Sequence, residues 1–316
     1  MQNVGKQIAL ALLLALATGC TENAEQEPGE TQVPLAISVS SEAMTRADGT
    51  FVNGSFTVGK RVGVFGYVYD ADTWQQYLQP NFFNNQPMTV ADDASTPSLT
   101  YSPIKYWPSG DRKVSVYAYY PYSDDTPNIV PEVVFGMGSF VYTTPLNASN
   151  QYDFMVTPLL ADKTSTDGTL NMEFYQVLAC IEINVNLVGT DYKQIKDVRV
   201  TKLYYEGRFF PQVMTDGLKA GSDEWRIKAW PEASLTIDRK DMVVTGALPE
   251  GISMSATTTD IYKLLVIPQQ CVAGLTQIRL TLVNATTDAE VTITHDLTEH
   301  LKAGAVYSYS FASSLP

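Results

Sequence analysis

Residues 33–47 read Val-Pro-Leu-Ala-Ile-Ser-Val-Ser-Ser-Glu-Ala-Met-Thr-Arg-Ala, and the rest of the chain is interpreted outward from this stretch. Leu35, Ile37 and Val39 alternate with small residues, which is the period of a β-strand with one buried face. Pro34 stands at the first position of this strand, where proline is tolerated. The pattern therefore predicts one apolar strand that joins an N-terminal tether to a long downstream body.

A possible cleavage point follows this strand. The sequence predicts a small polar turn, in which Arg46 is the basic residue. Trypsin-like proteases cut after exposed basic residues, so we expect the bond between Arg46 and Ala47 to be a processing site. Such a cut would separate the apolar strand from the body of the chain.

The first 20 residues have the features of an export signal and are left out of the fold. Lys6 gives a positive start, and Ile8–Ala17 is an apolar run too short to span a bilayer. The run ends in Leu-Ala-Thr-Gly-Cys, which resembles a bacterial lipobox and implies that Cys20 is lipidated at the mature N-terminus. Ala17 stands where the lipobox usually has leucine, so an ordinary secretory signal with an incidental cysteine is the alternative.

Residues 21–33 are expected to form an acidic linker. Four glutamates lie here beside a proline and a glycine, and such a segment stays solvated. Acidic residues soon after a lipidated cysteine also resemble the surface-export signal of Bacteroides-type lipoproteins. The resemblance implies an outer-membrane lipoprotein precursor at the cell surface.

The composition indicates a folded, acidic protein. The chain has 316 residues, of which 45% are hydrophobic and 17% charged, and its 18 tyrosines argue against disorder. It carries 21 Lys and Arg against 34 Asp and Glu, a net charge of −13. Clusters of basic residues that bind phosphates are not found, so we expect no nucleic-acid partner.

The body is predicted to be all-β. Short apolar runs alternate with turn signals, and no segment keeps a helical period beyond one or two turns. The clearest alternation places Ile278, Leu280 and Leu282 on one face of a strand. Many short strands at regular spacing predict two tandem β-sandwich domains, at residues 34–166 and 167–316.

Candidate catalytic and metal-binding residues are few. His295 and His300 are the only histidines, and their separation converges them neither on a helix nor on a strand. His295 continues an apolar face, so we expect it at the edge of the core. Asp92-Asp93 and Asp124-Asp125 are carboxylate pairs, but beside proline and serine they are typical of turns. We expect no enzyme activity, no cofactor and no metal site.

Two cysteines and one aromatic cluster leave alternatives open. Cys180 and Cys271 lie far apart in sequence, and Cys180 falls on the polar side of an alternating run, so two free thiols are favoured over a disulfide. The cluster contains Trp74, Tyr77, Phe82 and Phe83. If exposed, these rings could bind a glycan or host ligand on a monomeric surface lipoprotein, but we favour burial.

Several segments resemble the Bacteroides-type fimbrillins, the FimA- and Mfa-like subunits of type V pili. The most specific are Tyr-Ser-Pro-Ile-Lys-Tyr-Trp-Pro at residues 101–108 and Val-Ser-Val-Tyr-Ala-Tyr-Tyr-Pro-Tyr at residues 114–122. Gly-Lys-Arg-Val-Gly-Val-Phe-Gly-Tyr at residues 59–67 and Leu-Lys-Ala-Gly-Ala-Val-Tyr-Ser-Tyr at residues 301–309 extend the match. Gln176 departs from the pattern, because the family usually has histidine there.

The resemblance implies a pilus subunit that supports adhesion. It implies two transthyretin-like Greek-key domains, export as a lipoprotein, and cleavage by a trypsin-like protease after Arg46. It further implies assembly with other fimbrillin subunits by strand exchange, in which the strand of Leu35, Ile37 and Val39 is displaced. A stalk, a tip and an anchor subunit all remain open.

The candidate donor strand is the C-terminal run that contains Val306, Tyr307, Tyr309 and Phe311. Its residues alternate in the manner of a strand. Only Ala312–Pro316 follow it, so this run can instead close its own domain.

Overall fold

The structure is a computed structural model that describes residues 32–41, 44–46, 51–52, 56–70, 79–134, 137–211, 225–226, 239–243 and 259–311. Regular structure in these ranges is almost entirely β, which confirms the all-β prediction. Short 3₁₀ helices occur at Ser123–Asp125, Ala148–Asn150 and Ser165–Asp167. Within the same ranges, no helix is long and apolar enough to cross a membrane.

The strands of the described residues are, in chain order, β1 (Ile37–Ser41), β2 (Met44–Arg46), β3 (Phe51–Val52), β4 (Arg61–Tyr69), β5 (Phe83–Val90), β6 (Leu99–Thr100), β7 (Lys113–Tyr120), β8 (Ile129–Val134), β9 (Met137–Thr143), β10 (Met155–Val156), β11 (Leu160–Lys163), β12 (Leu170–Gln176), β13 (Ala179–Asn186), β14 (Tyr192–Tyr204), β15 (Glu206–Phe209), β16 (Trp225–Arg226), β17 (Arg239–Val243), β18 (Thr259–Val266), β19 (Gln269–Gln270), β20 (Gln277–Asn284), β21 (Glu290–Asp296), β22 (His300–Leu301) and β23 (Ala305–Phe311).

These strands form four main sheets. The first sheet has the order β1-β12-β10-β7-β4-β5-β6, and β11 also pairs with β7. The second sheet has the order β18-β13-β23-β2-β3, the third β17-β14-β20-β21 and the fourth β16-β15-β9-β8. Strands β19 and β22 pair separately.

Strand β7, at the centre of the first sheet, is buried on both faces. Its valines and tyrosines alternate, so Val114 and Val116 enter one hydrophobic cluster while Tyr117 and Tyr119 enter another. We call the cluster that contains the valines the β1 core. Its buried members are Leu35, Ile37, Val39, Phe56, Val62, Val64, Phe83, Met88, Val90, Leu99, Trp107, Val114, Val116, Ala118, Met155, Leu170, Met172 and Phe174.

Two further clusters join the remaining sheets. The tyrosines of β7 share their cluster with Phe140 of β9 and Phe209 of β15, so the fourth sheet packs on the first through aromatic rings. The third cluster joins β13 of the second sheet to β20 of the third sheet. Ile278, Leu280 and Leu282 are fully buried in it, as the alternation predicts.

The chain passes from the first sheet to the second between β12 and β13. The two residues between these strands, Val177 and Leu178, are buried in the tyrosine cluster. The domain boundary expected at residues 166 and 167 precedes β12, which pairs within the first sheet. The division into two domains at that point stays a prediction.

One local expectation is corrected and one is confirmed. Cys180 is buried, because β13 is covered on both faces at its start. Cys180 and Cys271 are both buried, and no disulfide joins them. His295 is exposed on β21, where its ring centroid lies 5.4 Å from that of Tyr309. Its ring centroid also lies 6.3 Å from that of Phe311, a buried member of the third cluster. The partly covered imidazole thus lies at the edge of this core, as the apolar face of β21 predicts.

Candidate functional site

Strand β1 pairs in parallel with β12 along one of its edges. The register places Ile37 beside Leu170 and Val39 beside Met172. The backbone N–H of Leu170 donates to the carbonyl oxygen of Ala36 at 2.9 Å, which extends the pairing to the start of the strand. This edge alone would make β1 the last strand of an open sheet.

The other edge of β1 is also paired, with the segment at residues 97–107. The N–H groups of Val39 and Leu35 donate to the carbonyl oxygens of Pro97 and Lys105, each at 2.9 Å. The N–H of Trp107 donates to the Val33 carbonyl oxygen at the same distance. Because this segment contains β6, the last strand at the opposite end of the sheet order, β1 closes the first sheet on itself.

The inward face of β1 is fully buried. Leu35, two residues before β1, continues this face, and Leu35, Ile37 and Val39 are 2%, 2% and 0% exposed in the β1 core, as their alternation predicts. The outward face is polar and partly exposed. There the Ser38 hydroxyl donates to Asn171 Oδ1, and Asn171 Nδ2 donates to the Ser40 hydroxyl, each at 3.4 Å. The strand thus fits an apolar groove and has a weak polar contact with β12 on its outer side.

Tyr101 forms a hydrogen bond to the backbone just before β1, and we call this contact the Tyr101 clamp. Its hydroxyl donates to the carbonyl oxygen of Leu35 at 2.7 Å, and its ring lies edge-on to Phe83 at a centroid distance of 5.5 Å. Burial raises the pKa of Tyr101, so the hydroxyl remains a donor at physiological pH. Sequence analysis did not assign this role, although Tyr101 begins the specific motif at residues 101–108.

The processing site predicted at Arg46 lies in a strand rather than in a turn. Met44–Arg46 forms β2, in which Thr45 pairs with Phe51 on one side. On the other side, Arg46 pairs in parallel with Val306. The turn predicted around Arg46 is therefore wrong, because the backbone pairs again in β2 soon after β1 ends. Ala47 lies outside the described residues, as does the predicted lipidation site Cys20.

The candidate donor strand β23 occupies a place in its own sheet. It pairs in parallel with β13 from Val306 to Phe311, and these two residues are 2% and 8% exposed. Tyr307 and Tyr309 pack against the third cluster. The Ser308 hydroxyl donates to Glu182 Oε2 at 2.8 Å. The structure therefore shows β23 closing its own sheet, and its use as a donor stays a prediction.

The other candidate residues have local structural partners. Asp92 accepts hydrogen bonds from the Ser98 hydroxyl and from the N–H groups of Ser98 and Ala94, which lower its pKa. Asp125 lies in a 3₁₀ helix and pairs with Arg61. Among the described residues, no group of three or more His, Cys, Asp or Glu side chains could hold a metal ion.

The aromatic cluster is only partly described. Phe83 is 1% exposed and belongs to the β1 core, while Phe82 is half-buried and packs against it. Trp74 and Tyr77 lie outside the described residues. The described part of the cluster therefore fills the core, as favoured from the sequence.

Comparison with known proteins agrees with this architecture. A fimbrillin-like family model matches residues 45–314. Fimbrium subunit Fim1C of Phocaeicola vulgatus is 27% identical over 211 residues, which cover 58% of this chain and 54% of that protein. A provisionally named fimbrium tip subunit Fim1C of Bacteroides ovatus is 34% identical over 128 residues, which cover 38% of this chain and 21% of that protein. This chain thus spans about half the length of the first relative and less of the second.

A solved structure shares the fold. A fimbrial protein from Bacteroides vulgatus has a TM-score of 0.55 at 19% identity, over 89% of this chain and 96% of that chain. The fold defines an all-β protein whose N-terminal strand completes its first sheet. The chain belongs to the fimbrillin-like family, since the family model covers most of its length.

Proposed function

We propose that this chain is a structural subunit of a cell-surface type V pilus that supports adhesion. It would be exported as an outer-membrane lipoprotein through Cys20, cut after Arg46 by a trypsin-like protease, and joined to other fimbrillin subunits by strand exchange. Membership of the fimbrillin-like family and the fimbrium names of its relatives support the proposal.

The observation that carries the proposal is the position of β1. It is a short strand paired on both edges, and it ends five residues before the proposed cut after Arg46. Together with Leu35, which precedes it, the strand buries three aliphatic side chains. One cut after Arg46 thus places β1, together with β2, on a separate peptide. Loss of that peptide would leave an apolar groove between β12 and residues 97–107, with unpaired backbone on both sides. Such an edge is what a strand of another chain fills in the donor-strand mode of assembly.

The energies suit a strand that is stable before the cut and replaceable after it. Burial of a Val, Leu or Ile side chain contributes about 1.5–3 kcal/mol, so the three inward residues contribute roughly 5–9 kcal/mol. This range is comparable with the whole net stability of a domain, about 5–15 kcal/mol. A chain that lost β1 would therefore be strongly destabilised until another strand occupied the groove.

The test is assembly in cells. A tagged chain should appear in detergent-resistant complexes with other fimbrillin subunits, in filaments visible by electron microscopy. Arg46→Ala should abolish the complexes, while Arg61→Ala should leave them, because the Arg61 side chain is held in an ion pair with Asp125. Complexes that form equally with Arg46→Ala would overturn the proposed cut. A tagged chain that remains monomeric and uncut on the surface would favour a ligand-binding lipoprotein instead.

A further inference from the structure

We propose that the groove beneath β1 selects its partner strand by side-chain size. It takes a strand of a different subunit that carries aliphatic residues at three alternate inward positions and small polar residues between them. It excludes the C-terminal strand β23 of a second copy of this chain. The inference rests on the proposed function, because it names the partner that strand exchange would bring.

The groove is shaped for side chains of the size of leucine, isoleucine and valine. The inward residues are all aliphatic, since Leu35 and Ile37 have side chains of equal carbon number and Val39 has one carbon fewer. The β12 residues beside them, Leu170 and Met172, are 2% and 0% exposed. Protein interiors are close-packed, so a core already filled to this degree has no room for an added aromatic ring without displacement of its neighbours.

One face of β23 is too large for the groove. Tyr307, Tyr309 and Phe311 stand at alternate positions, and all three pack on the third cluster of their own chain. In the β1 core, each would exceed the volume of the aliphatic residue that it replaced. The tyrosine hydroxyls would also enter an apolar region, where a hydroxyl without a hydrogen-bond partner is destabilising.

The opposite face of β23 is too polar. It carries Val306, Ser308 and Ser310. Turning this face inward would place two serines where the groove holds aliphatic side chains in β1. Neither face of the strand therefore reproduces the pattern of Leu35, Ile37 and Val39.

The contacts of β23 in its own sheet also oppose its transfer to a second copy of the chain. Departure of the strand would expose Val306 and Phe311 and break the pairing with β13. It would also remove the hydrogen bond from Ser308 to Glu182, a carboxylate residue that is only 3% exposed. A second copy would thus lose part of its own core in order to offer a strand that fits poorly.

Part of the groove contacts only the backbone of the bound strand, so these contacts do not depend on the strand's sequence. The Tyr101 hydroxyl and the carbonyl oxygens of Pro97 and Lys105 contact the backbone of β1, so they are indifferent to its side chains. Asn171, in contrast, contacts the hydroxyls of Ser38 and Ser40. We therefore expect the backbone contacts to contribute affinity for any partner strand. The size of the inward side chains then determines which strand binds.

The test uses the full chain, cut after Arg46, and a fluorescent peptide with the sequence of residues 33–41. Uptake of this probe by the cut chain is followed by anisotropy, with the uncut chain as control. Competitors are the unlabelled peptide, the same peptide with Leu35→Tyr, Ile37→Tyr and Val39→Phe, the same peptide with Ile37→Ser and Val39→Ser, and a peptide of residues 303–311. A conservative competitor carries Leu35→Ile and Ile37→Leu, which keep the number of side-chain carbons at both positions.

We expect the unlabelled and conservative peptides to compete within a few-fold of each other. The aromatic, serine and 303–311 peptides should compete at least about tenfold more weakly than the native peptide. Overpacking of the groove and burial of a hydroxyl without a partner each lower binding affinity by about this factor. If the aromatic or 303–311 peptide competes as well as the native sequence, the size selection is wrong while strand exchange stands. If the cut chain takes up no probe at all, the proposed function and this inference are both overturned.

Discussion

Replacement of Ile37 by alanine tests whether the inward face of β1 supports the fold. Ile37 is the first residue of β1 and the middle one of the three inward residues Leu35, Ile37 and Val39; it is 2% exposed and stands beside Leu170. The substitution removes three carbon atoms, which corresponds to about 2.4 kcal/mol at about 0.8 kcal/mol for each methylene-sized group. The cavity left behind adds to this transfer loss, so we expect a decrease of about 2–5 kcal/mol in the free energy of unfolding.

The assay is urea unfolding of the uncut chain, followed by tyrosine fluorescence, and Ser40→Ala provides the matched control. Ser40 is one strand position from the buried face, and its hydroxyl accepts a 3.4 Å hydrogen bond from Asn171 Nδ2. We expect Ser40→Ala to change the free energy of unfolding by less than about 0.5 kcal/mol, as is usual for surface substitutions. If Ile37→Ala is no more destabilising than Ser40→Ala, β1 does not fill the core and the groove does not exist as described.

Three further predictions concern the clamp, the tyrosines and the anchor. Tyr101→Phe should lower the free energy of unfolding by about 0.5–1.5 kcal/mol, because the Leu35 carbonyl loses its donor; unchanged stability in urea would remove Tyr101 from the clamp. Burial raises the pKa of Tyr119 to about 12, so its neutral form is stabilised by folding; this contribution is complete below pH 10 and should be lost between pH 10 and 12. Tyr119→Phe should make the unfolding free energy less dependent on pH in that window, and an equal dependence in both proteins would contradict this assignment. Cys20→Ser should abolish labelling by a fatty-acid analogue in cells, and persistent labelling would show that another residue carries the lipid.

Much of the local structure could be predicted from the sequence, because side-chain alternation directly reports burial. The inward set of β1, the two faces of β7 and the apolar face of β20 follow from a period of two residues. The family could be predicted as well, since its motif blocks span most of the body. These features depend only on residues that are neighbours in sequence.

Long-range pairing could not be predicted in this way. The sequence gives no sign that β1 pairs with residues 97–107 as well as with β12, because alternation reports which face is buried and not which strand lies beside it. The same limit explains Arg46, whose pairing with Val306 depends on a contact across most of the chain. Cys180 was placed on a polar face for a related reason, since β13 is covered on both faces and alternation assumes that one face is open.

The central claim is that β1 must leave its groove before another strand can enter, and a reversible crosslink tests it most directly. Ser38 and Asn171 are paired in register on the outward face, so Ser38→Cys with Asn171→Cys can form a disulfide without entry into the core. Ser38→Cys alone is the matched control. The measurement is uptake of the fluorescent 33–41 peptide by the double variant, cut after Arg46, before and after reduction.

We predict no uptake by the oxidised cut chain and full uptake after reduction, while the single variant takes up the peptide in both states. Equal uptake by the oxidised and reduced double variant would show that the peptide binds elsewhere. That result would contradict the account of β1 as the strand that is exchanged.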